Sequence, residues 1–359
     1  MRFKEHFMLT KELEFKLPNE LVAQTPSGRR DQSRLLVFSR SSQSITHHHF
    51  LELPNLLPPN LSILRNDVSV FKARILGKRP SGAPVECLML KPVYPFENTW
   101  RCLLKPGAKT AKARKFGLKD EYSAEIIRCL PSGEYVVHFE LPNDSDPVSL
   151  AQRIGSLPLP PYIRRPATKV DEKRYQTVYA NQAKLSAVAS PTAGLHFTPE
   201  ILNRLLGQGH SIYDLTLSVG LGTFRPVETE HIEDHPMHAE KYFISPETKL
   251  ILRNSQKTKF AIGTTCVRAI EDYMNNQDSE NSQSSEVEAK LFIRPPHKFL
   301  GVDHLLTNFH LPGSTLMCLV GAFLIPGENH GVSLLKEIYH EAVSKKYRFF
   351  SYGDAMLIL

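Results

Sequence analysis

Apolar residues between about 61 and 141 fall in short runs punctuated by turn signals, among them Pro80-Ser81-Gly82 and Pro131-Ser132-Gly133. After the second turn, Tyr135, Val137, Phe139 and Leu141 alternate with Val136, His138 and Glu140, the period of a strand with one buried face. Val85, Cys87 and Met89 share a run with Leu88 and Leu90, which predicts a strand buried on both faces. Several short strands at this spacing predict a small antiparallel β-barrel.

Elsewhere apolar runs lead straight into helical patterns, as an α/β domain requires. Thr198 can cap a helix that opens on Pro199, carries Ile201, Leu202, Leu205 and Leu206 as a stripe, and stops at Gly207 or Gly209. Lys259-Phe260-Ala261-Ile262-Gly263 reads as a strand passing through Thr264-Thr265 into a helix with Val267, Ile270 and Met274. Leu305-Leu306-Thr307-Asn308-Phe309 repeats the scheme, turning at His310-Leu311-Pro312-Gly313-Ser314 into a buried helix over 315–325. A last helix places Leu334, Leu335, Ile338, Tyr339, Ala342 and Val343 on one face and closes on Lys345 and Lys346. No 20–50 residue repeat is visible. The predicted architecture is a mixed α/β main domain built from residues 1–60 and 150–359, with the barrel inserted at 61–149.

Composition fits this picture. A chain of 359 residues, 41% hydrophobic and 23% charged, suits two domains and is neither collagen-like, coiled-coil nor disordered. The longest apolar run, 316–325, is well short of the roughly 20 residues that span a membrane. The first residues mix Lys4, Glu5, Lys11 and Glu12 among apolar ones, unlike a secretory signal, so a cytoplasmic protein is expected. Cys87, Cys102, Cys129, Cys266 and Cys318, odd in number and without a C-x-x-C pair, read as reduced core residues. Residues 275–288 are nearly all Asn, Gln, Ser, Asp and Glu and read as a mobile surface loop. The net charge of +7 permits a polyanionic partner without naming one.

Four segments, 190–197, 219–227, 263–268 and 307–315, gather polar residues and glycines at the ends of apolar runs. In an open α/β sheet such loops converge on one crevice, which is where the site is expected. Gly220 and Gly222 form a G-x-G pair, but the third glycine of a dinucleotide fingerprint is missing, so a Rossmann site is rejected. Thr264 and Thr265 could hold a carboxylate or phosphate at a helix N-terminus, or simply cap the helix; Arg268 one turn on favours an anion. His196, His235, His238 and His310 are proton-transfer candidates, since imidazole titrates at about 6.5. His235-Pro236-Met237-His238-Ala239-Glu240 lacks the spacing of a zinc helix, so no metal is expected, and His47 to His49 should be exposed. Lys105, Lys109, Lys112, Arg114, Lys115 and Lys119 occur without an acid among them, forming either a solvated strand face or a phosphate contact.

Several ordered motifs carry a resemblance across nearly the whole chain. They include Phe15-Lys16-Leu17-Pro18, Leu21-Val22-Ala23-Gln24-Thr25-Pro26, Arg30-Asp31-Gln32-Ser33-Arg34-Leu35-Leu36-Val37 and Arg174-Tyr175-Gln176-Thr177-Val178-Tyr179-Ala180. The four polar loops, Met237-His238-Ala239-Glu240 and Tyr347-Arg348-Phe349-Phe350-Ser351-Tyr352-Gly353-Asp354 complete them. The sequence resembles the S-adenosylmethionine:tRNA ribosyltransferase-isomerase family of queuosine biosynthesis. The resemblance implies transfer and isomerisation of the ribosyl part of S-adenosylmethionine onto 7-aminomethyl-7-deazaguanine at the tRNA wobble position. Epoxyqueuosine forms, and adenine and methionine leave. It implies a cytoplasmic α/β protein with an inserted barrel, expected as a monomer, with no membrane and no cofactor or metal beyond S-adenosylmethionine as cosubstrate.

On that resemblance, His196 and His310 are expected as base and acid in either order, with Glu240 orienting one of them or supplying a carboxylate. Thr192, Gly194, Gly220, Gly222, Thr223, Thr264, Thr265, Arg268 and Asn308 are expected at the cosubstrate, and Arg34, Arg74, Arg225 and Lys241 at the tRNA. Two positions depart from the family pattern: Ser218 stands where it has His, and Val68-Ser69 where it has Thr-Arg. A tRNA-binding protein without catalysis and an S-adenosylmethionine-dependent tRNA methyltransferase are the alternatives.

Overall fold

The computed structural model describes residues 8–142, 145–220, 227–237, 239–276 and 286–359. Gly222, Thr223, Arg225, His238 and most of the polar stretch 275–288 lie outside the described residues. The strands are β1 Arg34–Ser39, β2 Ser44–His49, β3 Ser62–Asn66, β4 Ser69–Val70, β5 Arg74–Lys78, β6 Pro84–Pro92, β7 Thr99–Lys105, β8 Lys115–Leu118 and β9 Tyr122–Cys129. They continue as β10 Tyr135–Glu140, β11 Leu185–Ala187, β12 Ser211–Leu217, β13 Glu240–Ile244, β14 Lys259–Ile262, β15 Val287–Ala289, β16 His304–Asn308 and β17 Ala355–Ile358. The helices are α1 Leu53–Leu56, α2 Gly107–Ala113, α3 Pro147–Ile154, α4 Lys169–Arg174, α5 Pro199–Gly207, α6 Pro246–Arg253, α7 Thr264–Asn275, α8 Thr315–Leu324 and α9 Gly331–Ser344.

Among the described residues, one sheet runs β15-β13-β12-β3-β14-β16-β17-β1-β2, with β12, β3, β14 and β16 parallel to one another. Its central strands are buried on both faces, and successive side chains go to opposite cores. Leu36, Leu64, Ala261 and Leu305 pack against α7, α8 and α9. Leu35, Ile63, Ile262 and Leu306 pack against α5.

The other architecture is a closed antiparallel barrel, β10-β7-β6-β5-β8-β9, filled by Val85, Cys87, Met89, Trp100, Val137 and Phe139. It begins at β5 rather than at residue 61. Ser62–Asn66 lies instead beside β12 and β14 in the middle of the large sheet, because Ile63 and Leu64 both need a core, one on each side. Residues 141 and 135 are only half-buried, while Val136 and Val137 are both inside, because the β9–β10 ladder shifts register between them. Part of the basic stretch is the helix α2, not a strand face.

Helix α5 spans the predicted residues, and Thr198 Oγ1 accepts from the Ile201 N–H at 3.3 Å. Leu206, expected in its stripe, is 51% exposed. Cys129 is exposed, unlike the other four cysteines. His47 and His49 are exposed on the edge strand β2, with His48 half-buried. The polar stretch 275–288 is shorter than its composition suggests, since Asn275 ends α7 and Val287–Ala289 pairs with β13.

Residues 155–198, which return the chain from barrel to sheet, are pinned by one fully buried carboxylate. Asp171 accepts from both Arg165 Nη atoms at 2.7 and 2.8 Å, from Thr168 N–H and Oγ1, and from Tyr352 Oη at 2.7 Å. Burial would raise its pKa, but these donors hold the carboxyl well below the usual range. A group so depressed contributes stability that is present above the unfolded value of about 3.9 and is lost on acidification. Asp171→Ala leaves five donor groups of Arg165, Thr168 and Tyr352 without their acceptor and should cost about 3 kcal/mol, read as a lower urea midpoint at pH 7. An unchanged midpoint would refute the clamp.

Candidate active site

The carboxyl ends of β12, β3, β14 and β16 meet at one edge of the sheet, where the antiparallel β13 begins with Glu240 and β17 with Ala355. Four chain segments cross there, and the cavity between them is lined by Ser190, Thr192, Gly263, Thr265, Asn308 and His310. Thr264, Thr265 and Leu316 also line a second pocket, beside Glu240, Arg268 and His235. Glu240 and Met237 open that pocket into a cleft of about 1130 Å³ between barrel and sheet, whose walls include Tyr94, Trp100, Ser218 and Lys241. Among the described residues the first cavity has no charged side chain on its wall; its polar groups are hydroxyls, an amide and the His310 imidazole.

Asn308 ends β16 and is 3% exposed. Its Nδ2 donates to His196 Nε2 at 3.2 Å, to Phe350 O at 3.2 Å and to Asp354 O at 3.4 Å. Both amide hydrogens are therefore committed, and Oδ1 is left buried without a partner. Ser190 Oγ, on a side chain 3% exposed, and Thr265 Oγ1 are unpaired in the same cavity. Three such atoms on the wall of one cavity give it hydrogen-bonding capacity that the protein itself leaves unused.

His196 does not line the cavity. Its Nε2 accepts from Asn308, so the proton sits on Nδ1, which donates to Ser33 Oγ at 2.7 Å; Ser33 in turn donates to Arg30 O at 3.3 Å. Burial first, then the guanidiniums of Arg348, Arg30 and Arg174, push this imidazole down to about 3. His310 does line the cavity, contacts Thr307 Oγ1 through Nε2 at 2.8 Å, and burial pushes it down to about 3 as well. Both rings are neutral at pH 7.

Gly263, with φ at 92°, turns the chain from β14 into α7, whose first turn has no side-chain cap. Arg268, one turn on, is not free to meet an anion. It donates to Glu240 Oε2 at 2.7 Å and to the carbonyls of Ala289 and Leu291. Glu240 Oε1 accepts the Gly220 N–H at 3.0 Å, so both carboxylate oxygens hold structure. Gly194 faces packing rather than a ligand: a Cβ there would lie 2.0 Å from Tyr179 Oη. Thr192 and Gly220 do border the open space, Thr192 in the cavity and Gly220 in the cleft.

The cations are dispersed. Lys241 lies in the cleft, 3.0 Å from Glu286 and 5.2 Å from the Tyr94 ring centre. Arg74 is in the barrel, 3.5 Å from Glu86, and Arg34 donates to Lys345 O at 2.6 Å. Ser190, Tyr162, Phe350 and Ser351 were not singled out from the sequence, although three of them sit inside its motifs or polar loops. Among the described residues no group of three His, Cys, Asp or Glu could hold a metal. Among the same residues no helix is long and apolar enough to cross a membrane.

Comparison with known proteins places the chain in a family. Residues 10–358 match the model of the queuosine biosynthesis protein family. The S-adenosylmethionine:tRNA ribosyltransferase-isomerase of Trichlorobacter lovleyi is 39% identical over 98% of this chain and 100% of its own length. That of Sulfurimonas denitrificans is 42% identical over 98% of each. The crystal structure of the S-adenosylmethionine tRNA ribosyltransferase of Thermotoga maritima superposes with a TM-score of 0.51 at 31% identity, covering 97% of this chain and 100% of that one. A match over almost every residue, together with a shared α/β sheet and barrel, means that the chain belongs to the queuosine biosynthesis family of S-adenosylmethionine:tRNA ribosyltransferase-isomerases.

Proposed function

We propose that this protein transfers and isomerises the ribosyl part of S-adenosylmethionine onto 7-aminomethyl-7-deazaguanine at the tRNA wobble position, giving epoxyqueuosine and releasing adenine and methionine. The observation that carries the reading is the uncharged cavity with Ser190 Oγ, Thr265 Oγ1 and Asn308 Oδ1 unpaired. A neutral, hydrogen-bonding nucleoside suits such a wall better than a charged ligand does. Asn308 Oδ1, an acceptor only, takes a hydrogen from the adenosine end of the cosubstrate. The methionyl carboxylate goes to the uncapped N-terminus of α7 at Thr264 and Thr265, since Arg268 is committed to Glu240.

The sulfonium acidifies the adjacent ribose C5′ hydrogens, so a base beside it can take one of these protons and leave a sulfonium ylide. His310 takes that role. It lines the cavity, and as a neutral imidazole it has a lone pair to accept the proton. His196 becomes a positioning residue, because its only polar contacts lock Asn308 and Ser33. Glu240 holds the Gly220 backbone at the mouth of the cleft, from which the flipped nucleotide enters. The reaction needs no cofactor or metal beyond the cosubstrate, and its tRNA substrate places it in the cytoplasm.

Mass analysis of the wobble nucleoside after incubation with cosubstrate and 7-aminomethyl-7-deazaguanine tRNA tests the reaction. Epoxyqueuosine with free adenine and methionine is expected; S-adenosylhomocysteine would mean methyl transfer, and tRNA binding without turnover would mean a lost activity. Ser190→Ala removes a hydroxyl with no partner inside the chain, so the thermal midpoint should hold or rise while KM for S-adenosylmethionine rises about tenfold, roughly one lost hydrogen bond. A lower midpoint with unchanged KM contradicts the subsite. His310→Ala should slow single turnover by about 10²–10⁴. Because His310 and His196 protonate near 3 when folded and about 6.5 when unfolded, folding stability is full above that window. It falls on acidification by up to about 1.4 kcal/mol per unit for each ring. The wild-type rate should show no His310 ionisation between pH 5 and 8; a limb near 6.5 abolished by His310→Ala would refute the neutral base.

A further inference from the structure

Three separated stretches, residues 24–34, 162–174 and 345–354, are sewn into one surface by arginine side chains on backbone carbonyls. Arg30 donates to Lys173 O at 2.7 Å and Gln176 O at 2.8 Å, Arg174 to Gly28 O at 3.1 Å, Arg165 to Gln24 O at 3.0 Å and Arg348 to Thr25 O at 3.3 Å. Together the stretches hold eleven Lys and Arg against Asp31, Asp171, Glu172 and Asp354, a balance that equals the +7 of the entire chain. The four carboxylates are already consumed. Asp31 pairs with Arg29, Asp171 with Arg165, and Glu172 with Lys72 outside the surface. Asp354 accepts the backbone N–H groups of Arg34 and Arg348 at 2.9 and 2.8 Å.

Left over are Arg164, Lys169, Lys173, Lys345 and Lys346, all exposed and without an ion pair among the described residues. Beneath them Arg30, Arg174 and Arg348 stand within each other's fields. Burial lowers the pKa of Arg30, with Arg174 adding to it, and Arg348 adds to the effect of burial on Arg174. Like charges held together this way favour an anion that bridges them.

We infer that this surface seats the sugar-phosphate backbone of the tRNA anticodon arm, an assignment that rests on the proposed reaction. Position supports it. Tyr162, Phe350 and Ser351 belong to the same stretches, and their inner sides line the cosubstrate cavity, where Tyr162 Oη and Ser351 Oγ meet at 2.6 Å. A strand lying on the cations therefore passes the edge of the cosubstrate cavity, whose ribose its flipped nucleotide must reach. The rival surfaces fit less well. The basic residues of 105–119 border neither the cavity nor the cleft, and in the cleft wall Glu97, Glu134, Glu286 and Glu288 outnumber Lys91, Arg101 and Lys241. The cleft suits an inserted base carrying a cationic aminomethyl group better than it suits phosphates.

The test compares two charge-neutralised proteins. Arg164→Gln/Lys169→Gln/Lys173→Gln/Lys345→Gln should weaken binding of 7-aminomethyl-7-deazaguanine tRNA at least about tenfold at 0.1 M salt. It should flatten the plot of log K against log salt by roughly 3, close to one per lost phosphate contact. KM for S-adenosylmethionine and the thermal midpoint should stay as in the wild type. Lys109→Gln/Lys112→Gln/Lys119→Gln should leave the slope within about 0.5 of wild type. Lys173→Gln alone, on an exposed side chain, should flatten the slope by about 0.8, so the inference survives a quadruple variant that folds poorly. An unchanged slope in the first set, or a loss confined to the barrel set, overturns the surface. A protein that binds tRNA with these slopes but releases no adenine leaves the surface standing and removes the reaction.

Discussion

The side-chain amide of Asn308 is the joint on which the site hangs. Buried at the end of a central strand, it cannot turn without leaving either its NH₂ group or three acceptors unmatched, at a cost of about 1–3 kcal/mol for each stranded group. That asymmetry fixes the orientation of the amide before any ligand arrives. The same hydrogen-bond chain runs through His196 and Ser33 to the Arg30 backbone. Arg30 spreads it over the return segment, and Asp171 ties that segment to the turn that supplies Phe350 and Ser351. Recognition of the cosubstrate and shaping of the basic surface are thus parts of one rigid assembly.

The pair Arg268–Glu240 shows how burial decides between two uses of the same residues. An exposed arginine one turn into a helix would be a natural carboxylate ligand. Here Arg268 is 8% exposed and its guanidinium is held by one carboxylate oxygen and two carbonyls, so pulling it away would leave the buried Glu240 without its counter-charge, at about 3–5 kcal/mol. The helix N-terminus carries no such penalty. The result is a site whose helix N-terminus stays open while its ionised side chains hold loops in place.

Much of this was legible in the sequence wherever local rules and global fold agree. Thr198-Pro199 with its apolar stripe, and β14 running through Gly263 into α7, were readable because cap, turn and period all speak at once. Ser62–Asn66 was misplaced because a two-faced apolar run looks the same in a barrel hairpin and in a central parallel strand. His196 and Arg268 carried the right chemistry for reactive roles, but residue type does not say whether a side chain's bonds are spent inside the protein. Ser190 is the converse: its hydroxyl matters only because burial leaves it unpaired, which no motif encodes. At the two departures from the family pattern, Ser218 pairs with Ser186 at 2.7 Å on the cleft wall, and Ser69 is buried with its hydroxyl unpaired.

The order of strands also fixes an order of events in folding. The barrel's six strands come from one contiguous stretch, so its contacts close short loops. The β1–β17 pairing joins Leu35 to Ala355, 320 residues away, and pays a far larger loop-closure entropy before it is rewarded. A half-assembled chain therefore has a barrel and no catalytic edge. A site that draws on residues from Tyr162 to Ser351 is complete only when such distant segments have come together, so catalysis in this architecture doubles as a report on the closed sheet.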